Sequence, residues 1–158
     1  RDDKGARPKY YCPRDLPDTP TLADVLRRPA FIATSSILAR RSFMEALPPW
    51  RAEVLCGDLV VRLWGAHVGK IGYLRDIMSI RCRHAGGLSM RAGHRRMAAE
   101  ALQAYALFDE ATQRRHHRLV RARMVFERQH ARFGPMAYLL HPGQALQRFR
   151  EYRTGAGL

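Results

Sequence analysis

Residues 69–89 read GKIGYLRDIMSIRCRHAGGLS. The first part is β-branched and aromatic, so KIGYL (70–74) predicts a strand and DIMSIRC (76–82) a further strand or extended run. Arg81 and Arg83 flank Cys82, and in a strand they share one face while the cysteine takes the other. His84 follows, then Ala85, Gly86 and Gly87. Two successive glycines suit a place where backbone turns with positive φ or approaches a ligand closely. An imidazole delivered there could bind a divalent metal when neutral or a phosphate when protonated. A lone histidine more often serves packing or surface, and no carboxylate stands at recognisable ligand spacing beside it.

Upstream, DLVVRLWGAHV begins at Asp58 and is apolar almost all round, which predicts a buried helix ended by Gly69. Helix returning to strand after a glycine is the grammar of an α/β layer fold. FIATSSILA (31–39) alternates and is β-branched, predicting a first strand. TLADVLRR is a short helix capped by Thr21 and stopped by Pro29, and RRSFMEAL gives one or two helical turns before Pro48 and Pro49. Trp50 opens a loop, and residues 1–20 read as loop from their proline and charge.

Residues 94–133 contain neither glycine nor proline and predict two helices meeting near Asp109 to Thr112. In the second, Leu119, Ala122, Phe126 and Phe133 fall on one face by spacing, and Arg114, Arg118, Arg121, Arg128 and Arg132 on another. An arginine stripe of this kind is either the solvated side of an amphipathic helix or a surface for phosphate-rich partners.

The chain of 158 residues carries a net charge of +14, drawn mainly from arginine. That charge admits nucleic acid, anionic lipid and phosphorylated small molecules as partners, though a GC-rich genome biases composition toward arginine without any such partner. No apolar run approaches the ~20 residues of a membrane helix. Cys12, Cys56 and Cys82 are odd in number and contain no Cys-x-x-Cys pair. Reduced thiols in a cytosolic protein are therefore expected.

Asp58 is the leading candidate for chemistry. Its plain role is an N-cap, and its sharper role is a carboxylate fixed at the edge of an apolar helix, able to take a proton from a hydroxyl. Ser35 and Ser36 have no His–acid partner placed to make either a nucleophile.

Taken in order, FIATSSILARR, LPPW, GDLVVRLWGAHVGKIGYLRDIMS and the H-x-G-G-x-S of His84 to Ser89 resemble the C-terminal half of a family-2-type glycosyltransferase catalytic domain of the GT-A fold. The resemblance implies an α/β architecture, with a partial GT-A sheet layer over residues 1–90 and a helical extension over 91–158. It implies inverting transfer of a sugar from a nucleotide-sugar donor to a carbohydrate or other hydroxyl acceptor, with Asp58 as the base. His84, Gly86, Gly87 and Arg83 would stand near the donor diphosphate and its divalent cation (Mg²⁺ or Mn²⁺), His84 as a metal contact. Trp50, Ser35 and Ser36 would lie on the acceptor side.

The donor-binding half with its Asp-x-Asp motif is not found in these residues, so the chain is expected to be a fragment, inactive alone. A cytoplasmic location, with peripheral contact to an anionic membrane, fits the same resemblance. The competing expectation is a small basic protein that binds nucleic acid or other anions through the Arg114–Arg132 face.

Overall fold

A computed structural model describes residues 16–28, 32–76 and 88–133, without the side chains of 88–94 and 133. Helices account for 67% of it, and among the described residues there is no strand. The order is α1 (Leu22–Arg27), α2 (Arg41–Glu45), α3 (Gly57–Val68), α4 (Leu88–Ala111) and α5 (His117–Phe133), with single 3₁₀ segments at Thr34–Ser36 and Pro49–Glu53.

The expected α/β sheet layer is therefore corrected to helical packing. In FIATSSILA, the Ser36 amide and hydroxyl both turn back to the Ala33 carbonyl, at 2.9 and 2.8 Å, and the Ile37 amide donates to Thr34 O. Serine and threonine offer the backbone local partners that compete with a ladder. Leu38, which a paired strand would cover on one face, is 95% exposed.

KIGYL forms no strand among the described residues. The Tyr73 amide donates to the Asp18 carbonyl at 2.8 Å, while the Arg75 guanidinium reaches Leu16 O at 3.1 Å and the Asp18 carboxylate at 2.7 Å. This segment is pinned to the stretch before α1 by side chains as much as by backbone. The run expected at 76–82 lies outside the described residues from 77 onward.

The helices follow local chemistry. Thr21 caps α1, its hydroxyl accepting from the Asp24 amide while the Asp24 carboxylate accepts from the Thr21 amide, a reciprocal capping box. Burial alone would raise the Asp24 pKa, yet these hydrogen bonds, with Arg27 and Arg28, hold it below its ordinary value. In α3, Leu59, Val60, Arg62 and Leu63 are buried, the other residues from Gly57 to His67 are half-buried and Val68 is 55% exposed, so the all-round burial expected of 58–68 holds for part of the helix. Leu59, Val60 and Leu63 of α3 share one core cluster with Leu22, Val25 and Leu26 of α1 and with Ala104, Tyr105 and Phe108 of α4, and α3 contacts both helices. Val120 of α5 closes the same core.

The α4–α5 turn falls where the pattern breaks. The Thr112 hydroxyl is shared between the Phe108 and Asp109 carbonyls, and Gln113 and Arg114 take positive φ of 52° and 58°. Arg114 thus sits in the turn, off the helical stripe. The expected inward face of α5 is also rotated: Leu119 is 41% exposed and Ala122 is exposed, while Val120, Arg123, Phe126 and Glu127 are buried. The reason is a polar pair. Arg123 and Glu127, four residues apart, neutralise each other inside the hairpin, so burial follows that pair instead of the apolar spacing.

Candidate functional site around Asp58

Asp58 is the second residue of α3, one position inside the helix, and Cys56 holds the cap position without a side-chain cap bond. The expected N-cap role at Asp58 is thereby corrected, although its carboxylate still lies in the first turn, where the helix dipole favours negative charge. Oδ1 accepts from the Leu59 amide at 2.9 Å. Oδ2 accepts from the Thr34 hydroxyl at 3.0 Å and pairs with Arg62 at 3.2 Å. The Arg62 guanidinium also donates to the Ile32 carbonyl at 2.6 Å. One buried cation therefore ties the first turn of α3 to the segment 32–36, twenty-four residues upstream of the carboxylate.

The carboxylate is held but not sealed. Its side chain is 30% exposed against 9% for Arg62. Among the described residues, a Cβ added at the neighbouring Gly57 would meet nothing within 4 Å. Of the residues expected on the acceptor side, Ser35 and Ser36 are exposed in the turn whose first residue, Thr34, holds Asp58. Trp50 packs against the core with a buried, unpaired Nε1, as a packing anchor would. Cys56 lies beneath the site as a free thiol. Burial first, and the Asp58 carboxylate next, push it up to about 11, so at neutral pH it is no nucleophile.

His84, Arg83, Gly86 and Gly87 lie outside the described residues, as do Arg81, Cys82 and Cys12. Among the described residues no group of three or more His, Cys, Asp or Glu could hold a metal ion.

Two features escape a reading of the sequence. Arg62 had a signal, its i,i+4 spacing from Asp58, but its neighbours are so apolar that the segment reads as uniform core. The second is a ring cluster where α3 ends against the α4–α5 turn. His67 Nδ1 and His116 Nε2 lie 3.0 Å apart, ringed by Trp64 and Phe108. Burial first, then His116 and Arg115, lower the His67 pKa. Beside them His117 Nδ1 pairs with the Asp109 carboxylate at 2.6 Å. The residues are far apart in sequence, and only the hairpin brings them together.

In comparison with known proteins, no family model, no curated protein and no solved structure matches the chain significantly.

Proposed function

We propose that this chain supplies the acceptor side of an inverting sugar-transfer site, with Asp58 as the base. The observation that supports it most is the arrangement of that carboxylate: fixed by Thr34, Arg62 and the Leu59 amide, partly exposed, and beside open space at Gly57. This reading keeps the chemistry implied by the resemblance and drops its sheet.

The step follows from the hydrogen bonds. Oδ2 is occupied by a hydroxyl and a guanidinium, while Oδ1 accepts one amide and has a lone pair to spare. Oδ1 takes the acceptor's hydroxyl proton as that oxygen attacks the anomeric carbon. The new glycosidic bond forms opposite the breaking bond to the diphosphate, and the nucleoside diphosphate departs with the electron pair. Arg62 keeps the carboxylate oriented throughout, a positioning role.

No Asp-x-Asp motif occurs in these 158 residues, so on this reading the donor diphosphate is bound by groups other than those described, and the chain by itself is expected to turn over no donor. The test uses the longest open reading frame that contains them. Nucleoside diphosphate release is measured with a panel of nucleotide sugars and saccharide acceptors, for wild type and Asp58→Asn. A loss of about 10² or more in kcat with donor KM unchanged is expected of a missing general base. Normal turnover by Asp58→Asn removes Asp58 as the base. Absence of release by the wild type with every donor removes the enzyme reading.

A further inference from the structure

The outward face of α5 is uniform in a way that solvation does not require. Arg118, Arg121, Val125, Arg128 and Arg132 recur at steps of three, four, three and four, and all are exposed. At 1.5 Å per residue they form a ridge about 21 Å long. The helix has one acid, Glu127, and it is buried on the opposite side against Arg123. A solvated helix face ordinarily mixes signs, with i,i+4 pairs between them. This one offers cations alone.

Apolar side chains are interleaved with the arginines. Val125 is 37% exposed in the middle of the ridge, with the exposed Ala122 beside it, while Leu119, 41% exposed, lies about a third of a turn further round. Among the side chains described, Phe126 of α5 is 4% exposed and offers no ring for a base to stack on. Phosphate-binding cations around small apolar side chains suit a surface with charged headgroups above hydrocarbon better than the wholly polar outside of a duplex. Arginine stems lie along such a boundary with their guanidinium groups among the phosphates.

We propose that this face of α5 is an attachment surface for an anionic phospholipid membrane, with Arg118, Arg121 and Arg128 on headgroup phosphates and Ala122 and Val125 at the acyl boundary. The helix lies on the bilayer and does not cross it. No helix among the described residues is long and apolar enough to do so. The proposal is independent of Asp58, which stands on a different element.

The experiment is co-sedimentation of the 158-residue chain with phosphatidylserine-containing vesicles and with pure phosphatidylcholine vesicles. It is run at about 0.1 M and about 1 M salt, where the Debye length falls from about 10 to about 3 Å. Partitioning onto the anionic vesicles at the lower salt, and its loss at the higher, is expected. Each arginine near such a surface is worth about fivefold, so Arg118→Gln/Arg121→Gln lowers partitioning about thirtyfold. The Arg118→Lys/Arg121→Lys variant holds within a few fold. Both sites are exposed, and matching far-ultraviolet circular dichroism confirms that the variants fold. Equal partitioning onto phosphatidylcholine, or an unchanged double glutamine variant, overturns the proposal. So does binding of random-sequence duplex DNA without partitioning onto anionic vesicles, which assigns the ridge to nucleic acid.

Discussion

Replacing Arg62 by methionine tests whether the Asp58 arrangement is held by that one cation. Methionine fills similar volume in a helix and removes every donor. The side chain is 9% exposed and has two partners, the Ile32 carbonyl at 2.6 Å and the Asp58 carboxylate at 3.2 Å. A hydrogen bond from a charged donor contributes about 1.5–3 kcal/mol. The ion pair itself adds less than a fully buried one, because Asp58 is 30% exposed and rehydrates when the guanidinium leaves. Against these losses, Arg62 Nε is buried without a partner, and methionine relieves that desolvation, about 1 kcal/mol. The balance is a destabilisation of about 2 kcal/mol, or a fall in Tm of roughly 4–8 °C for a chain of this size.

Asp58→Asn perturbs the same pair from the other side and leaves a buried cation without its counter-charge, at a cost of about 2–3 kcal/mol after allowing for the exposure of Asp58. The double variant removes both charges and is less destabilised than the sum by about 1–2 kcal/mol, since neither orphan remains. Thermal unfolding followed at the helical circular-dichroism band, with urea midpoints at constant slope, measures all four corners of the cycle. Additivity within about 0.3 kcal/mol would show that the pair carries no coupling and would refute the reasoning.

Two further outcomes follow from groups deeper in the fold. The Tyr105 side chain is wholly buried and burial pushes its pKa up to about 12. Its hydroxyl approaches Arg123 without completing a well-formed hydrogen bond. Tyr105→Phe should therefore leave the urea midpoint unchanged or slightly raised, whereas Tyr105→Ala costs about 3–5 kcal/mol; a loss above about 1.5 kcal/mol in the phenylalanine variant contradicts the assignment of an unpaired hydroxyl. At the ring cluster, His67 is kept neutral in the fold by burial, by His116 and by Arg115, so the unfolded chain binds its proton more readily. That contribution is fully present above the ordinary imidazole pKa of about 6.5 and erodes as pH falls through it. The urea midpoint of the wild type should drop more steeply between about pH 7.5 and about pH 5.5 than that of His67→Leu, and parallel profiles would discard the idea.

How much of this was legible in the sequence depended on where each signal resides. The cap at Thr21, the stop before Pro29 and the α4–α5 junction are decided within a few residues, and they stand where the pattern puts them. FIATSSILA and KIGYL have strand-like side chains, but a strand exists only through a partner. Their amides and carbonyls find Ala33, Thr34 and Asp18 instead. The α5 face was misplaced by about one residue because spacing counts apolar positions, while Arg123 and Glu127 enter the core as a neutral pair. At the site, the carboxylate was legible and its partners were not: Thr34 is twenty-four residues away, and Arg62 hides in an apolar run.

The two buried arginines separate a structural pair from a positioned group. Arg123 and Glu127 are 8% and 12% exposed, so both ends of that bridge are closed, and a pair of apolar residues would serve the hairpin as well. Arg62 is buried equally, yet its partner is not. Both cations have a buried Nε without a partner, so the difference lies elsewhere: Arg62 is held against Ile32 O, and what this arrangement secures is one orientation of a carboxylate that stays partly open to solvent. An apolar side chain at 62 would remove one of the three groups that hold Asp58 and leave the Thr34 hydroxyl and the Leu59 amide to orient it alone. A local rule broken in the core, with its consequence delivered at an accessible acid, is the pattern expected of a group positioned for work. That contrast, more than the identity of any single residue, supports reading Asp58 as the group that meets a substrate.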